Sequence, residues 1–320
     1  MTVLTSTTQP SGAVDRGDEE PVRHLTLFNH PGYHGLVAPA EDRRRVDHYV
    51  DGRLIGSWTG TVVDGGLVSG HSAPMGGPDT VSDDAPLPEV EGLVDLALTR
   101  WRDEGLRSVE TKARSGAWST ADRHVVQALL SRGSRVTTAH LCHQIPLCHL
   151  DGTDAWISTL SKRYRTYVRR SVEMIEVAPA STEAEWLAAH DTLRRNKARK
   201  DREMALTPAA MLGTRQAFPD QVRMLVVRVE GDIVAAALTY LVRPGIELLV
   251  NWGDREHDLP TSPMPGLMWH MVRRGLDEGV RWLDLGISSE ADGTPNHGLA
   301  FFKTRFGATT ELRLDLTLEL

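Results

Sequence analysis

The sequence predicts an α/β protein with mixed α+β sheets, built twice in tandem. Residues 103–110 (DEGLRSVE) recur 174 positions later as 277–284 (DEGVRWLD), and each copy closes a helical pattern and opens a strand. Residues 50–56 (VDGRLIG) and 229–235 (VEGDIVA) lie 179 positions apart and both read as strand, acidic-Gly turn, strand. The chain has 320 residues, 40% hydrophobic and 25% charged, which leaves room for two units of about 150 residues.

The elements of the first copy follow from periodicity. Strands at 47–50, 54–63 and 67–69 form an antiparallel meander, followed by a helix over 90–104, a strand at 107–112, a helix over 119–131 and a strand at 134–147. The second copy opens with a short strand at 175–177, a helix started by a Thr182/Glu185 capping box and a helix begun by Thr207-Pro208. Its meander runs through 222–229, 233–241 and 246–252. Pro263 and Pro265 punctuate the loop before a helix over 264–278, which buries Met268, Met271, Val272 and Leu276 on one face and stops at Gly279. A strand at 280–287 and a helix over 295–306 ended by Gly307 follow. Leucines at 312, 314, 316, 318 and 320 alternate with polar residues in the final strand, the pattern of a half-buried strand. The expected organisation is a disordered leader over 1–22, a first domain over 23–150, a connecting basic helix over 151–171 and a second domain over 172–320.

Composition narrows the function classes. A net charge of −7 argues against a generally basic nucleic-acid coat, so an RNA partner needs a local patch, and DNA is not an expected partner. Cys142 and Cys148 are the two cysteines, no apolar run approaches a membrane span, and no secretory pattern opens the chain. These point to a cytoplasmic protein with no membrane partner. The crowded His140, Cys142, His143, Cys148 and His149 match no standard zinc spacing, and alternate strand residues face opposite ways, so no metal is expected. No GxSxG elbow surrounds a serine, which argues against a hydrolase triad.

The order strand, helices, three-strand meander, helix, strand, helix, strand is that of a GNAT acyltransferase domain, and the first copy follows its later part. The residues DLG at 284–286, GLAFFKTRFG at 298–307, PMGGP at 74–78 and LSKRYRTYVRRS at 160–171 resemble the Fem-like group of tandem GNAT proteins over roughly residues 25–320. This resemblance implies an aminoacyltransferase. In a GNAT fold two splayed strands admit an activated acyl donor, and the protein positions the reactants, stabilises the oxyanion and helps remove a proton without a covalent enzyme intermediate.

Lys303 is the first catalytic candidate. It is one of five lysines in an Arg-rich chain and follows two phenylalanines in a helix resembling the donor-side helix of Fem-type enzymes, where the matching lysine is implicated in aminoacyl transfer. A protonated amine there would stabilise an oxyanion, a contribution of about 3 kcal/mol; an exposed helical lysine is the structural alternative. The matching position of the first copy is Leu129, so the first domain is expected to be catalytically silent and to help bind the acceptor. Asp284 could accept a proton or cap the following loop, and Glu110 at its matching position favours the structural role. His297 is a third proton-handling candidate. Phe302, Arg305, Trp252 and Asp254 are expected to bind substrate, Asp254 being also a weaker proton-handling candidate, and Gly76 and Gly77 lie in a turn admitting the acceptor or serving only as a bend. The pairs Phe301/Phe302 and Trp252/Trp269 are expected in the core.

The donor question turns on the loop before the fourth-strand helix. Coenzyme A-dependent GNAT domains usually hold the pyrophosphate on backbone amides of a Gly-rich loop. Here the segment reads DLPTSPMPGL, and Pro260, Pro263 and Pro265 remove three donors. Fem-type enzymes take the amino acid from aminoacyl-tRNA, and two basic runs could meet that RNA: 162–170, with Arg163 and Arg169, and 194–202, with Arg199. No bound cofactor is expected, only aminoacyl-tRNA or acyl-coenzyme A as co-substrate, with an amine of a small metabolite or peptide as acceptor. An acyl-coenzyme A N-acyltransferase and a non-catalytic tRNA-binding protein remain the alternatives.

Overall fold

The structure, a computed structural model, describes residues 24–320; the leader expected over 1–22 lies outside the described residues. In chain order the elements are α1 (Pro31–Val37), β1 (Arg43–Val50), β2 (Arg53–Val63), β3 (Gly66–Ser69), β4 (Asp79–Thr80), α2 (Leu87–Asp103), β5 (Ser108–Lys112), α3 (Thr120–Ser131), β6 (Arg135–Pro146) and α4 (Thr153–Thr159). They continue with α5 (Lys162–Met174), β7 (Glu176–Pro179), α6 (Glu183–Ala198), α7 (Pro208–Ala217), β8 (Val222–Val229), β9 (Asp232–Arg243), β10 (Ile246–Asp254), α8 (Met264–Asp277), β11 (Trp282–Ile287), α9 (His297–Thr304) and β12 (Thr309–Glu319).

The chain forms two units. Unit 1 takes the described residues up to Leu141 with Ser289–Pro295 and Glu311–Leu320, and unit 2 takes Cys142–Ser288 with Asn296–Thr310. This differs from the contiguous division expected from the sequence, 23–150 and 172–320. The reason lies in strand pairing. β12 runs antiparallel to β5, from Asp315↔Lys112 to Glu319↔Ser108, and buries Leu316 and Leu318 in the unit 1 core with Leu93, Trp101 and Val109. The second half of β6 runs antiparallel to β11, with Trp282 opposite Pro146 and Asp284 opposite Gln144, and sends Ile145 into the unit 2 core with Met268 and Leu283. The last strand of the second copy is thus counted in unit 1, and the second half of the first copy's last strand in unit 2. The stretch expected as a connector also joins unit 2, since Trp156, Tyr164 and Val168 are part of its core.

Within unit 1 the strand order is β1-β2-β3-β5-β12-β6, and within unit 2 it is β6-β11-β10-β9-β8-β7. Each has one parallel pair, β3/β5 and β10/β11, beside an antiparallel meander. Local signals explain the helices of unit 2. The Thr182/Glu185 capping box closes reciprocally at the start of α6, and Thr207 caps α7 ahead of Pro208. Along α8, Leu267, Met268, Met271 and Val272 are fully buried, each such side chain contributing about 1.5–3 kcal/mol. Gly279, at φ +73°, ends the helix in a left-handed conformation. The leucine alternation of β12 holds only in its second half: Leu312 is 57% exposed, whereas Arg313 is buried and donates to the Pro74 carbonyl.

Candidate active site

The site in unit 2 begins where its parallel strands stop pairing. β10 and β11 are in register only from Ile246↔Trp282 to Leu248↔Asp284. Past that point both strands change register against their outer neighbours, β10 at Leu249–Asn251 and β11 between Asp284 and Ile287. On β11, three steps of chain oppose two on β6, a bulge that re-aims the backbone. Gly286 takes the left-handed conformation the bulge needs, at φ +73°. The Asp284 carboxylate fastens it by accepting the Gly286 amide at 2.7 Å.

The bulge turns two carbonyls toward α9. Lys303 is 2% exposed, and its ammonium donates to the Gly286 carbonyl at 2.9 Å and the Ile287 carbonyl at 2.7 Å. The exposed-lysine alternative is therefore excluded. Burial pushes the Lys303 amine down to about 7, against the upward pull of Asp284 and Cys142. Near neutral pH the group thus holds a proton it can lend or release, and two of the three ammonium protons are directed at backbone carbonyls.

Sequence reasoning missed His143. It is fully buried on β6 and shares a hydrogen bond through Nδ1 with the Ser288 hydroxyl at 3.0 Å. Burial and the Lys303 charge push its imidazole down to about 4, so it is neutral at neutral pH, and Nε2 is buried without a partner. The crowding of His and Cys residues drew attention to metal chemistry, but no group of three or more His, Cys, Asp or Glu that could hold a metal assembles among the described residues. Only the pairing of β6 with β11 brings His143 to the bulge, and no local signal encodes that pairing.

The remaining candidates take varied positions. Half-buried Trp252 and Phe302 lie with ring centroids 5.3 Å apart, and Phe306 meets Phe302 edge-on at 5.0 Å, forming an aromatic wall between β10 and α9. Phe301, expected in the core, is 60% exposed. Arg305 is exposed and lies 4.1 Å from the Phe301 ring centre. His297 is exposed at the first turn of α9, which Asn296 caps by accepting the Leu299 amide. Asp254 is held by Asn196 at 3.0 Å and Arg199 at 2.9 Å, so both Asp254 and Arg199 fasten the end of α6 to β10. Arg194 and Arg195 of the same basic run pair with Asp191. On α5, Arg163 and Arg169 are exposed, and Arg163 donates to the Tyr167 hydroxyl.

In unit 1, Gly76 and Gly77 are buried and their amides are committed, to the Lys112 carbonyl at 2.8 Å and the Ser69 hydroxyl at 2.8 Å. A Cβ on Gly76 would stand 2.3 Å from the Gly70 nitrogen. The glycines serve a close backbone packing, the bend of the two roles weighed from sequence, and offer no free amide.

The first turn of α8 is likewise occupied. The Met264 amide donates to the Ser262 hydroxyl at 3.3 Å, Pro265 has no amide hydrogen, the Gly266 amide donates to the Ser171 hydroxyl of α5 at 2.9 Å, and the Leu267 amide donates to the Pro263 carbonyl. A helix start ordinarily leaves such donors for an anion; this one is filled by the chain's own groups.

Residues 158–296 match the model of an acetyltransferase (GNAT) domain. No curated protein matches the sequence. Among solved structures, the crystal structure of FemX superposes with a TM-score of 0.74 at 12% identity, covering 99% of this chain and 98% of that one. The structure of L-PGS from Bacillus licheniformis gives 0.58 at 13% identity, covering 93% of this chain and 91% of that one. The chain has a tandem GNAT fold like that of FemX, and residues 158–296 form a GNAT acyltransferase domain.

Proposed function

We propose that unit 2 forms an amide by moving an aminoacyl group from aminoacyl-tRNA to an amine of a small metabolite or peptide in the cytoplasm. The observation that carries the donor assignment is the filled first turn of α8, where Ser262, Pro265 and Ser171 leave no amide for a pyrophosphate. An ester on RNA needs no such cradle, and the exposed arginines of α5 supply positive charge for phosphates. The Fem-like fold supports the same donor class.

In the transfer, the acceptor nitrogen attacks the ester carbonyl carbon, the bond to the ribose oxygen breaks, the amine loses one proton and the ribose oxygen gains one. Lys303 stabilises the negative oxygen of the tetrahedral intermediate, in a site dry enough for one hydrogen bond to weigh heavily. Asp284 holds the bulge that presents the two carbonyls and balances the Lys303 charge. Trp252 and Phe302 shield the reaction from water. No helix among the described residues is long and apolar enough to cross a membrane.

The test uses radiolabelled amino acids charged on bulk tRNA, incubated with the protein and a metabolite extract, with acetyl-coenzyme A in parallel. Label passing from tRNA into an acid-stable amide, and lost in Lys303→Ala, is the expected outcome. Consumption of the thioester alone would assign the protein to the coenzyme A-dependent acyltransferases. Binding of tRNA with no transfer from either donor would favour the non-catalytic binding protein.

A further inference from the structure

We infer that His143 is a positioning residue for Lys303, acting through Ser288 to fasten the hydrogen-bonded ring that aims the ammonium. This deepens the proposed reaction and rests on it for the work the ammonium does. On β6, His143 stands opposite the bulge of β11, between Cys142, paired with Ile287, and Gln144, paired with Asp284. Its Nδ1 shares the 3.0 Å bond with the Ser288 hydroxyl, and both residues are fully buried. Ser288 directly follows Ile287, so this bond pins the chain beside the carbonyls that Lys303 uses. The Ser288 carbonyl accepts the Asn296 amide at 2.8 Å, and the Asn296 side chain accepts the Leu299 amide to start α9. α9 carries Lys303, whose ammonium returns to Gly286 and Ile287. Ser288, Asn296, α9, Lys303 and Ile287 thus close a ring, and His143 ties that ring to the neighbouring strand.

A neutral imidazole suits this task. The titratable groups around the ammonium are Asp284 of β11 and Cys142 and His143 of β6. One carboxylate offsets one positive charge, and Lys303 carries it. Burial and that charge hold the His143 imidazole down at about 4, so it anchors the ring without competing for the proton. The closed ring also keeps water from the amine, and desolvation is what brings Lys303 to about 7. Loosening the anchor admits water, lets the amine climb toward its ordinary value and misplaces the ammonium, and small misplacements are costly in a reacting geometry.

The experiment follows the Lys303 amine by NMR of the full chain carrying isotopically labelled lysine. Five lysines give few signals, and Lys303→Met identifies the one that titrates near 7. In His143→Ala and in Ser288→Ala the midpoint should rise by about one pH unit or more, a tenfold gain in proton affinity, and the pH limb of the transfer rate should move with it. His143→Asn, whose amide takes the place of Nδ1, should keep the midpoint of the wild type. His143→Gln, which reaches to the place of Nε2, should behave as His143→Ala. A midpoint unmoved in both alanine variants overturns the inference, and so does His143→Asn behaving as His143→Ala. Ser288→Ala removes a single oxygen and carries the test alone where His143→Ala does not fold. The titration needs no donor, so the two readings fail separately: a midpoint that moves while transfer proves independent of Lys303 leaves the anchor standing and removes the oxyanion role from the lysine.

Discussion

The two parallel strand pairs of this protein begin alike and end differently. In unit 1, β3 and β5 pair from Leu67↔Val109 to Ser69↔Thr111, and residues 74–78 then bind both strand ends through Gly76 and Gly77. Arg114, itself held by Asp79 and Asp122, donates to the carbonyls of Gly76 and Pro78 and fixes that segment. In unit 2, β10 and β11 pair over the same length, but a bulge follows, and a buried lysine takes up its carbonyls. The helix position that carries Lys303 in unit 2 carries Leu129 in unit 1, 1% exposed in an apolar core. One framework thus has two fates. In unit 1 the framework is filled with backbone and leucine; in unit 2 it holds a desolvated cation, to which the proposed function assigns the chemistry.

The largest effect should come from the plug of unit 1. Arg114→Ala leaves Asp79 and Asp122 buried without their cation, and denaturant unfolding should show a loss of about 3–5 kcal/mol. A change below 1 kcal/mol would mean that the segment is held by its glycine contacts alone. Next, Lys303→Ala should lower the transfer rate about a hundredfold, equivalent to about 3 kcal/mol of transition-state stabilisation. Leu129→Met, its counterpart in unit 1, should leave the rate within a factor of two or so while shifting stability by less than about 1.5 kcal/mol. Equal rate losses in the two variants would sink the distinction between a chemical and a silent unit.

The pH dependence sharpens it further. The Lys303 amine sits at about 7 in the fold and at its ordinary value of 10.5 when unfolded. Between those values the unfolded chain binds the extra proton, so the contribution of Lys303 to stability rises with pH. It is greatest above 10.5 and is lost as pH falls through about 7. Lys303→Met should abolish that slope in a series of melts. If the ammonium is the working form, the wild-type rate should fall as pH rises through about 7; a rate that climbs there would make the neutral amine a base instead. The smallest effect, none, is expected for coenzyme A at α8: even in Ser171→Ala, which strands the buried Gly266 amide at a loss of about 1–3 kcal/mol, a thermal shift on adding coenzyme A should remain absent.

Much of this was legible in the chain. The repeats, the meanders, the capping box of α6 and the interruption of phosphate-binding amides by proline are local matters of dihedral preference, side-chain period and donor count. Lys303 stood out through its rarity and its resemblance to Fem-type enzymes. Its burial did not, because α9 shows a Phe-Phe-Lys sequence and only the bulged β11 determines which of the three faces inward; Lys303 does, and Phe301 does not. Asp254 and Arg199 looked like binding groups because each alone is a charged residue at an element end, and only proximity reveals that they neutralise one another.

By itself, then, the sequence determined a doubled α/β architecture, the inequality of its copies and the identity of the one lysine on the last helix. Tertiary structure decided that β12 completes unit 1 and the second half of β6 completes unit 2, which no alternation of leucines can specify, since period two identifies a buried face and not the neighbouring strand. It also decided the chemistry of Lys303. An amine pushed down to about 7 is a property of desolvation and of two carbonyls from another element, and desolvation exists only once distant parts of the chain have closed around the group.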